Sequence, residues 1–293
     1  MRQIKAIVEK YQIQLINAQS SKDRYTSILS RWRYGLNVKL VHTRRQTPQS
    51  VGGWLQNTFY TKGTDKIIVI SEQLKKTFIR QGIPASHLEV IYNGVHPDFF
   101  AALDDNKVQA LRSHYQLTPE DRVIGCVARL KKQDQLVRAL QWLGKEVKLL
   151  LVGVEVGTFD ELAHRLNLTQ TILYAGKVKR EELANYYALF DVFVLPSTTD
   201  GFGLVLIEAM GMGIPVIGTR SEGIIDVLEN GKNGLLFEDG DDKGLADSIE
   251  LIMNTPQVRN ELIAAGRIAV QQTFTLERTI ERYEQFFEAL IGN

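Results

Sequence analysis

The chain has 293 residues, 44% hydrophobic and 24% charged, enough apolar material for one large or two ordinary α/β domains. No apolar run approaches the roughly 20 residues of a membrane span, and the single cysteine, Cys126, excludes an internal disulfide or a thiolate metal cluster. A net charge of +1 conceals an asymmetry, because residues 1–80 hold 15 Lys/Arg against 4 Asp/Glu and the remainder 20 against 30.

The basic part either attracts the acidic part across a domain interface or faces an anionic surface. Its charges are scattered and carry no aromatic-interleaved motif, which argues against nucleic acid. An anionic membrane fits better, at about 1 kcal/mol per basic residue near the surface. Cys126 lies in the apolar run Val123 to Ala128 and reads as a buried strand residue in a reducing compartment. The N-terminus enters an amphipathic pattern with no signal-peptide core. The expected location is cytoplasmic, peripheral on the inner face of the membrane.

In chain order, Ile4 to Tyr11 predicts a helix and Ile13 to Asn17 a strand. Thr26 to Tyr34 is the next helix, with Arg31 and Arg33 on its outer side, followed by the strand Val38 to His42. Gln46 to Gly63, with Gly52-Gly53, reads as a mobile polar loop with a short helix. The strand Lys66 to Ile70, the helix Glu72 to Gln81 N-capped by Ser71, and the strand Leu88 to Tyr92 follow. Val95 to Pro119 is a connection with one helix, near Asn106 to Tyr115.

Further strands are expected at Arg122 to Val127, Lys148 to Val152, Thr171 to Ala175, Asp191 to Leu195, Pro215 to Gly218 and Gly234 to Phe237. Helices fall at Gln135 to Trp142, Phe159 to Leu166, Glu181 to Leu189, Leu204 to Met212, Ile224 to Glu229, Lys243 to Met253 and Leu276 to Leu290. This alternation is the signature of βαβ units and parallel sheets.

The most informative segment is Pro196-Ser197-Thr198-Thr199-Asp200-Gly201-Phe202-Gly203-Leu204-Val205-Leu206-Ile207-Glu208-Ala209-Met210, followed by Gly213-Ile214-Pro215-Val216-Ile217. An apolar strand runs through a glycine-rich turn into a helix N-terminus, where free N–H groups and the helix dipole favour an anion. Phe202 between two glycines lets backbone approach a ligand while its ring closes one side. Glu208 lies along the same helix, placed to accept two hydroxyl hydrogen bonds, as a ribose diol requires.

This segment resembles the acidic–seven–acidic signature of retaining GT-B glycosyltransferases of family four, with Asp200 where that family usually has Glu. The resemblance implies two Rossmann-like doubly wound domains facing each other across a cleft. The expected boundaries are 1–96 for an acceptor-side domain, 97–273 for a nucleotide-sugar domain, and 274–293 for a helix crossing back to the first. The N-terminal domain reads as incomplete, because Met1 enters a helix where the family has its first strands.

Gly125-Cys126-Val127-Ala128-Arg129-Leu130-Lys131-Lys132 is similar to the family's Gly-Arg-Leu…Lys motif, whose Arg and Lys clamp the diphosphate. Lys131 and Lys132 both remain candidates for the lysine. Ala175-Gly176-Lys177-Val178 resembles the turn that meets the nucleotide base, and Glu222-Gly223 follows where the sugar pocket is expected. Asn17-Ala18-Gln19 and Val41-His42-Thr43-Arg44-Arg45 resemble segments in which a family subgroup carries histidines, at the positions of Gln19 and Arg45. The imidazole expected near the reacting carbon is therefore moved to His42 or lost.

The resemblance implies sugar transfer from a UDP- or GDP-type donor to a cell-envelope glycolipid or polysaccharide, with retention and without an essential metal or other cofactor. Catalytic roles fall on Asp200, Arg129, Lys131, Lys132, His42 and Arg45. Donor contacts fall on Arg129, Lys131, Lys132, Lys177, Val178, Asp200, Gly201, Phe202, Gly203, Leu204 and Glu208. His96 and His114 have no partners at ligand spacing. A non-catalytic nucleotide-sugar binder is the competing reading, ahead of a sugar-nucleotide epimerase on the same fold.

Overall fold

The computed structural model describes residues 1–45 and 53–292. Residues 46–52, the first part of the expected polar loop, lie outside the described residues. The chain divides into two compact units, Met1–Asn93 with Glu277–Asn293, and Gly94–Leu276.

The first unit runs α1 (Arg2–Tyr11), β1 (Leu15–Ala18), α2 (Ser21–Tyr34), β2 (Lys39–Arg44), α3 (Trp54–Gly63), β3 (Lys66–Val69), α4 (Glu72–Arg80) and β4 (Leu88–Val90). Its strands pair in parallel in the order β1-β2-β3-β4. Ser20 Oγ caps α2 by accepting from the Asp23 N–H at 3.1 Å, and Ser71 Oγ caps α4 by accepting from the Leu74 N–H at 3.1 Å. Each crossover advances one strand in the same direction, so right-handed connections put α2, α3 and α4 on one face of the sheet.

The second unit opens with α5 (Pro97–Ala101) and α6 (Asp105–His114), two helices where one was expected. Pro97 stands in the first turn of α5, where its missing N–H costs nothing, and His96 Nδ1 accepts from the Asp98 N–H. Then come β5 (Arg122–Val127), α7 (Gln133–Ala139), β6 (Val147–Val152), α8 (Asp160–Arg165), β7 (Thr171–Gly176), α9 (Leu183–Tyr187), β8 (Val192–Leu195) and α10 (Leu204–Gly211). β9 (Val216–Thr219), β10 (Leu235–Phe237), α11 (Asp242–Asn254) and α12 (Pro256–Thr273) complete it. The expected helix at 224–229 is a run of hydrogen-bonded turns that starts at Ser221, and α12 was not anticipated from the sequence.

All six strands pair in parallel, in the order β10-β9-β8-β5-β6-β7. Leu149, Leu151, Val192 and Val194, none more than 0% exposed, sit at alternating positions on two of these strands and build one side of the core with Leu136, Leu140 and Ile249 from α7, the turn after it and α11.

The last helix, α13 (Leu276–Gly292), carries Tyr283, Phe286, Phe287 and Leu290 on one stripe. That stripe packs on Val41, Ile68 and Ile91 of the first unit, on the sheet face opposite α2 and α3. Strand alternation decides which side chains meet it. Val41 and Thr43 point to α13, whereas Leu40 and His42 point to the α2–α3 layer.

Candidate functional site

The order of the second sheet records a reversal. The chain winds outward through β5, β6 and β7, then returns to lay β8 beside β5 and continues the other way. At such a switch point the loops leaving adjacent strands diverge and open a crevice at the carboxyl edge. Here those loops are residues 128–132 and 196–203.

The first loop is held from beneath by Gln133, which is 0% exposed. Its Oε1 accepts from the Lys131 N–H at 2.6 Å, and its Nε2 donates to the Arg129 carbonyl at 2.9 Å. Arg129 is left exposed at the start of the loop. Lys131 Nζ reaches across the switch point to Asp200 Oδ2 at 2.6 Å, both side chains 23% exposed. Lys132 points away and pairs with Asp239, beyond β10. That pairing holds the Asp239 carboxyl below its ordinary value. Of the two candidate lysines, only Lys131 stands beside the acidic motif.

The second loop is held by the β9 edge. Thr219 Oγ1 accepts from the Ser197 N–H at 3.0 Å, and Ser221 Oγ donates to the Ser197 carbonyl at 2.8 Å. Gly223 presses so closely that a Cβ there would stand 2.1 Å from the Asp200 carbonyl oxygen. Gly203 adopts φ +74° as the N-cap of α10, a conformation that needs glycine. The first-turn N–H groups of Leu204 and Val205 thereby end at the crevice.

Phe202 corrects an expectation. Its ring does not close a ligand site but is buried at 3% exposure, edge-on to Phe274 at 5.8 Å between centroids, because an aromatic ring gains more in the core than at a wet crevice. Gly201 and Gly203 flank Phe202, and Leu204 is the first residue of α10.

Glu208 lies one turn into α10, 5% exposed. Its Oε2 accepts from the Tyr187 hydroxyl at 3.0 Å, and its Oε1 is 3.9 Å from Arg180 Nη2. Burial raises the Glu208 carboxyl above its ordinary value, while the Tyr187 hydrogen bond and Arg180 pull it back. Tyr187 is fully buried and its hydroxyl is pushed far up, so it remains a donor. Burial likewise pushes the Cys126 thiol, beneath the same loops, up to about 12. It is a packed strand residue, not a nucleophile.

Lys177 and Val178 follow β7 at the sheet edge, two strands from the switch point. They line a cavity of about 390 Å³ with Lys107, Leu111 and Tyr186. Arg180, in the 3₁₀ turn between β7 and α9, connects this edge to Glu208.

His42 and Arg45 belong to the first unit. His42 is 1% exposed, its ring edge-on to Tyr60 at 5.9 Å, and its Nε2 has no hydrogen-bond partner among the described residues. Burial lowers its pKa to about 3, with Arg24 and His87 adding repulsion. A ring sealed in the helix layer does not meet a substrate, so the catalytic role expected for His42 is corrected to a core one. Arg45 is exposed and its Nη2 donates to Gln19 Oε1 at 2.7 Å. The two positions that match the family's histidines therefore touch each other.

Sequence reasoning missed Gln133, Tyr187 and Arg180. Gln133 follows the basic pair directly, but its role depends on burial, which a polar residue type does not announce. Tyr187 stands 21 residues from Glu208 in sequence, and only the packing of α9 against α10 joins them.

Residues 108–269, which contain both loops of the switch point, match the model of the glycosyl transferases group 1 family, and residues 1–99 match that of glycosyltransferase family 4. The chain belongs to the glycosyl transferases group 1 family. The chain is 27% identical over 271 residues to the N-acetyl-alpha-D-glucosaminyl L-malate synthase of Bacillus anthracis, a match covering 88% of this chain and 70% of the synthase. It is 30% identical over 237 residues to the capsular polysaccharide biosynthesis glycosyltransferase CapM of Staphylococcus aureus, covering 77% of this chain and 62% of CapM. A GDP-mannose-dependent mannosyltransferase of Mycobacterium tuberculosis is 31% identical, with 70% of this chain matching 56% of it. The chain thus spans less than two thirds of the second and third of these relatives. Among solved structures, Anabaena HepE in complex with UDP superposes with a TM-score of 0.85 at 22% identity, covering 98% of this chain and 81% of that one. A glycosyltransferase from Rickettsia africae gives 0.87 at 22%, covering 100% and 80%. The fold is GT-B, with two parallel α/β units.

Proposed function

We propose that this glycosyl transferase moves a sugar from a UDP- or GDP-type donor to a cell-envelope glycolipid or polysaccharide, with retention of anomeric configuration and without a metal. The observation that supports this most is the Lys131–Asp200 contact at the sheet's switch point, beside the N-terminus of α10 and the buried Glu208. On this reading the diphosphate lies against the first-turn N–H groups, with Lys131 and Arg129 neutralising it as it departs. Arg suits bidentate phosphate contact and Lys a point charge. Asp200, released from Lys131, takes the sugar's hydroxyls, and Glu208 takes the ribose. Lys177 and Val178 meet the base. The basic excess of residues 1–80 draws the protein to an anionic membrane where such acceptors reside.

Calorimetry with UDP and GDP in EDTA tests the site, with binding of at least one expected. Silence from both at millimolar concentration would reject it. Incubation with labelled nucleotide sugars and an envelope lipid extract, with NMR of the anomeric centre in the product, tests transfer and retention. A binding-only reading draws support from the Gln19–Arg45 pair at the family's histidine positions. Tight nucleotide-sugar binding with no transfer and no donor hydrolysis would favour it.

A further inference from the structure

We propose that the carboxyl edge of the first sheet binds an anionic saccharide, with Arg45 taking its phosphate or carboxylate and Tyr283, Thr43 and Asn17 taking its hydroxyls. The inference rests on the transfer reading only in making this saccharide the acceptor, which then carries an oxyanion beside its sugar.

Three elements build the patch. Residues two apart on a strand share a face, so Asn17 and Gln19, at and just past the end of β1, stand on the side that α13 covers. Thr43 and Arg45, at and just past the end of β2, stand there too. Deeper on that side, Leu15, Val41 and Ile68 meet the apolar stripe of α13. Toward the carboxyl edge the same face turns polar. The buried Thr43 donates from Oγ1 to Asn17 Oδ1 at 2.8 Å, and the half-buried Tyr283 hydroxyl shares a hydrogen bond with Thr43. Burial raises the Tyr283 hydroxyl above its ordinary value, while the Thr43 bond and the nearby Arg45 charge pull it back.

What these bonds leave over defines the ligand. Gln19 Oε1 takes one of the five N–H donors of Arg45 and fixes the guanidinium without neutralising it, since an amide carries no charge. Arg45 is exposed and has no carboxylate partner among the described residues. Its remaining fork of donors matches the paired oxygens of a phosphate or carboxylate. Asn17 spends its carbonyl oxygen on Thr43 and keeps its amide donors, and a phenol both donates and accepts. Neutral groups of both kinds beside one fixed cation suit sugar hydroxyls next to an oxyanion. The carboxyl end of a parallel sheet is also where units of this architecture take ligands. Arg44 takes no part, because its guanidinium lies over the Phe78 ring at 5.1 Å.

NMR of the full chain carrying 15N-labelled arginine tests this at Arg45 itself, whose Nε–H signal is assigned by its loss in Arg45→Gln. The probes are glucose 1-phosphate, glucuronate, methyl glucoside and inorganic phosphate. At least one of the two sugar anions is expected to shift the Arg45 signal saturably in the millimolar range, and the tighter one tells phosphate from carboxylate. Methyl glucoside should bind at least tenfold more weakly, for want of the charge-assisted contact, and inorganic phosphate about fivefold more weakly, for want of the ring. Tyr283→Phe and Asn17→Ala, shown folded by circular dichroism, should each weaken the sugar anion about fivefold. The inference is overturned if neither sugar anion shifts Arg45 at tens of millimolar, or if methyl glucoside binds equally well. It is also overturned if inorganic phosphate matches the sugar anion, which marks a bare surface counter-ion, or if both variants bind as wild type does. None of the probes carries a nucleotide, so failure here and failure of UDP or GDP binding in the second unit are separate results.

Discussion

At the scale of single residues, burial decides roles that residue type leaves open. Lys131 and Lys132 are equivalent in sequence, yet one meets Asp200 and the other Asp239. Lys131→Ala should therefore weaken UDP or GDP binding by at least tenfold in calorimetry, and Lys132→Ala by less than twofold, since a charge-assisted hydrogen bond contributes about 1.5–3 kcal/mol. Glu208→Gln should weaken binding of the free diphosphate more than Asp200→Asn does, because the ribose persists when the sugar is absent. Tyr187→Phe should follow Glu208→Gln, with a loss of roughly tenfold, because the carboxylate loses the donor that orients it. An unchanged Kd in Tyr187→Phe would leave Tyr187 a packing residue only. His42 gives a pH signature. Unfolded, an imidazole takes up a proton near 6.5, but in its buried site it does so only at about 3. Stability tied to neutral His42 is complete above pH 6.5 and is lost as pH falls toward 3, by up to about 1.4 kcal/mol per pH unit. Urea titrations of His42→Leu should show a shallower decline than wild type between pH 6.5 and 4.5.

At the scale of elements, the site exists because two loops leave adjacent strands at the reversal of winding. The strand–loop–helix at 191–211 was legible because its signals are local: an apolar run, a Pro-Ser break, glycines and a helix start. Its supports were less so. Ser197 is held by Thr219 and Ser221 from the next crossover, and Gly223 abuts the Asp200 carbonyl. The sequence pattern expected a helix at 224–229 and placed Glu222-Gly223 at the sugar pocket without the contact to Asp200, because a close backbone approach leaves no mark in a single segment. Gly223→Ala should displace the Asp200–Gly203 turn. We expect at least a tenfold loss of nucleotide affinity with a fall in Tm of only a few degrees. Normal affinity in a folded Gly223→Ala protein would show that the turn tolerates the shift.

At the scale of the whole molecule, each unit has its own core, and the chain's end belongs to the first. Tyr283, Phe286, Phe287 and Leu290 cover the sheet face that Val41, Ile68 and Ile91 present. Phe286→Ala with Phe287→Ala should destabilise that unit by several kcal/mol, as partly buried large-to-small changes do, while nucleotide binding by the second unit persists. Fluorescence of Trp32 and Trp54 would report early unfolding, and that of Trp142 would not. A single shifted transition with nucleotide affinity lost in parallel would show instead that the units unfold together. By itself the sequence determined the parallel α/β class, all ten strands to within a few residues, the glycine-rich helix N-terminus and the basic excess of residues 1–80. These are carried by periodicity, turn chemistry and composition, which act over a few neighbouring residues. Only tertiary structure decided that Lys131 rather than Lys132 faces Asp200, that Tyr187 and Gln133 hold the site in place, and that Phe202 and His42 are core. Each of these depends on sheet order and on which face a neighbouring element occupies, and residues tens of positions apart set that only when the chain has packed.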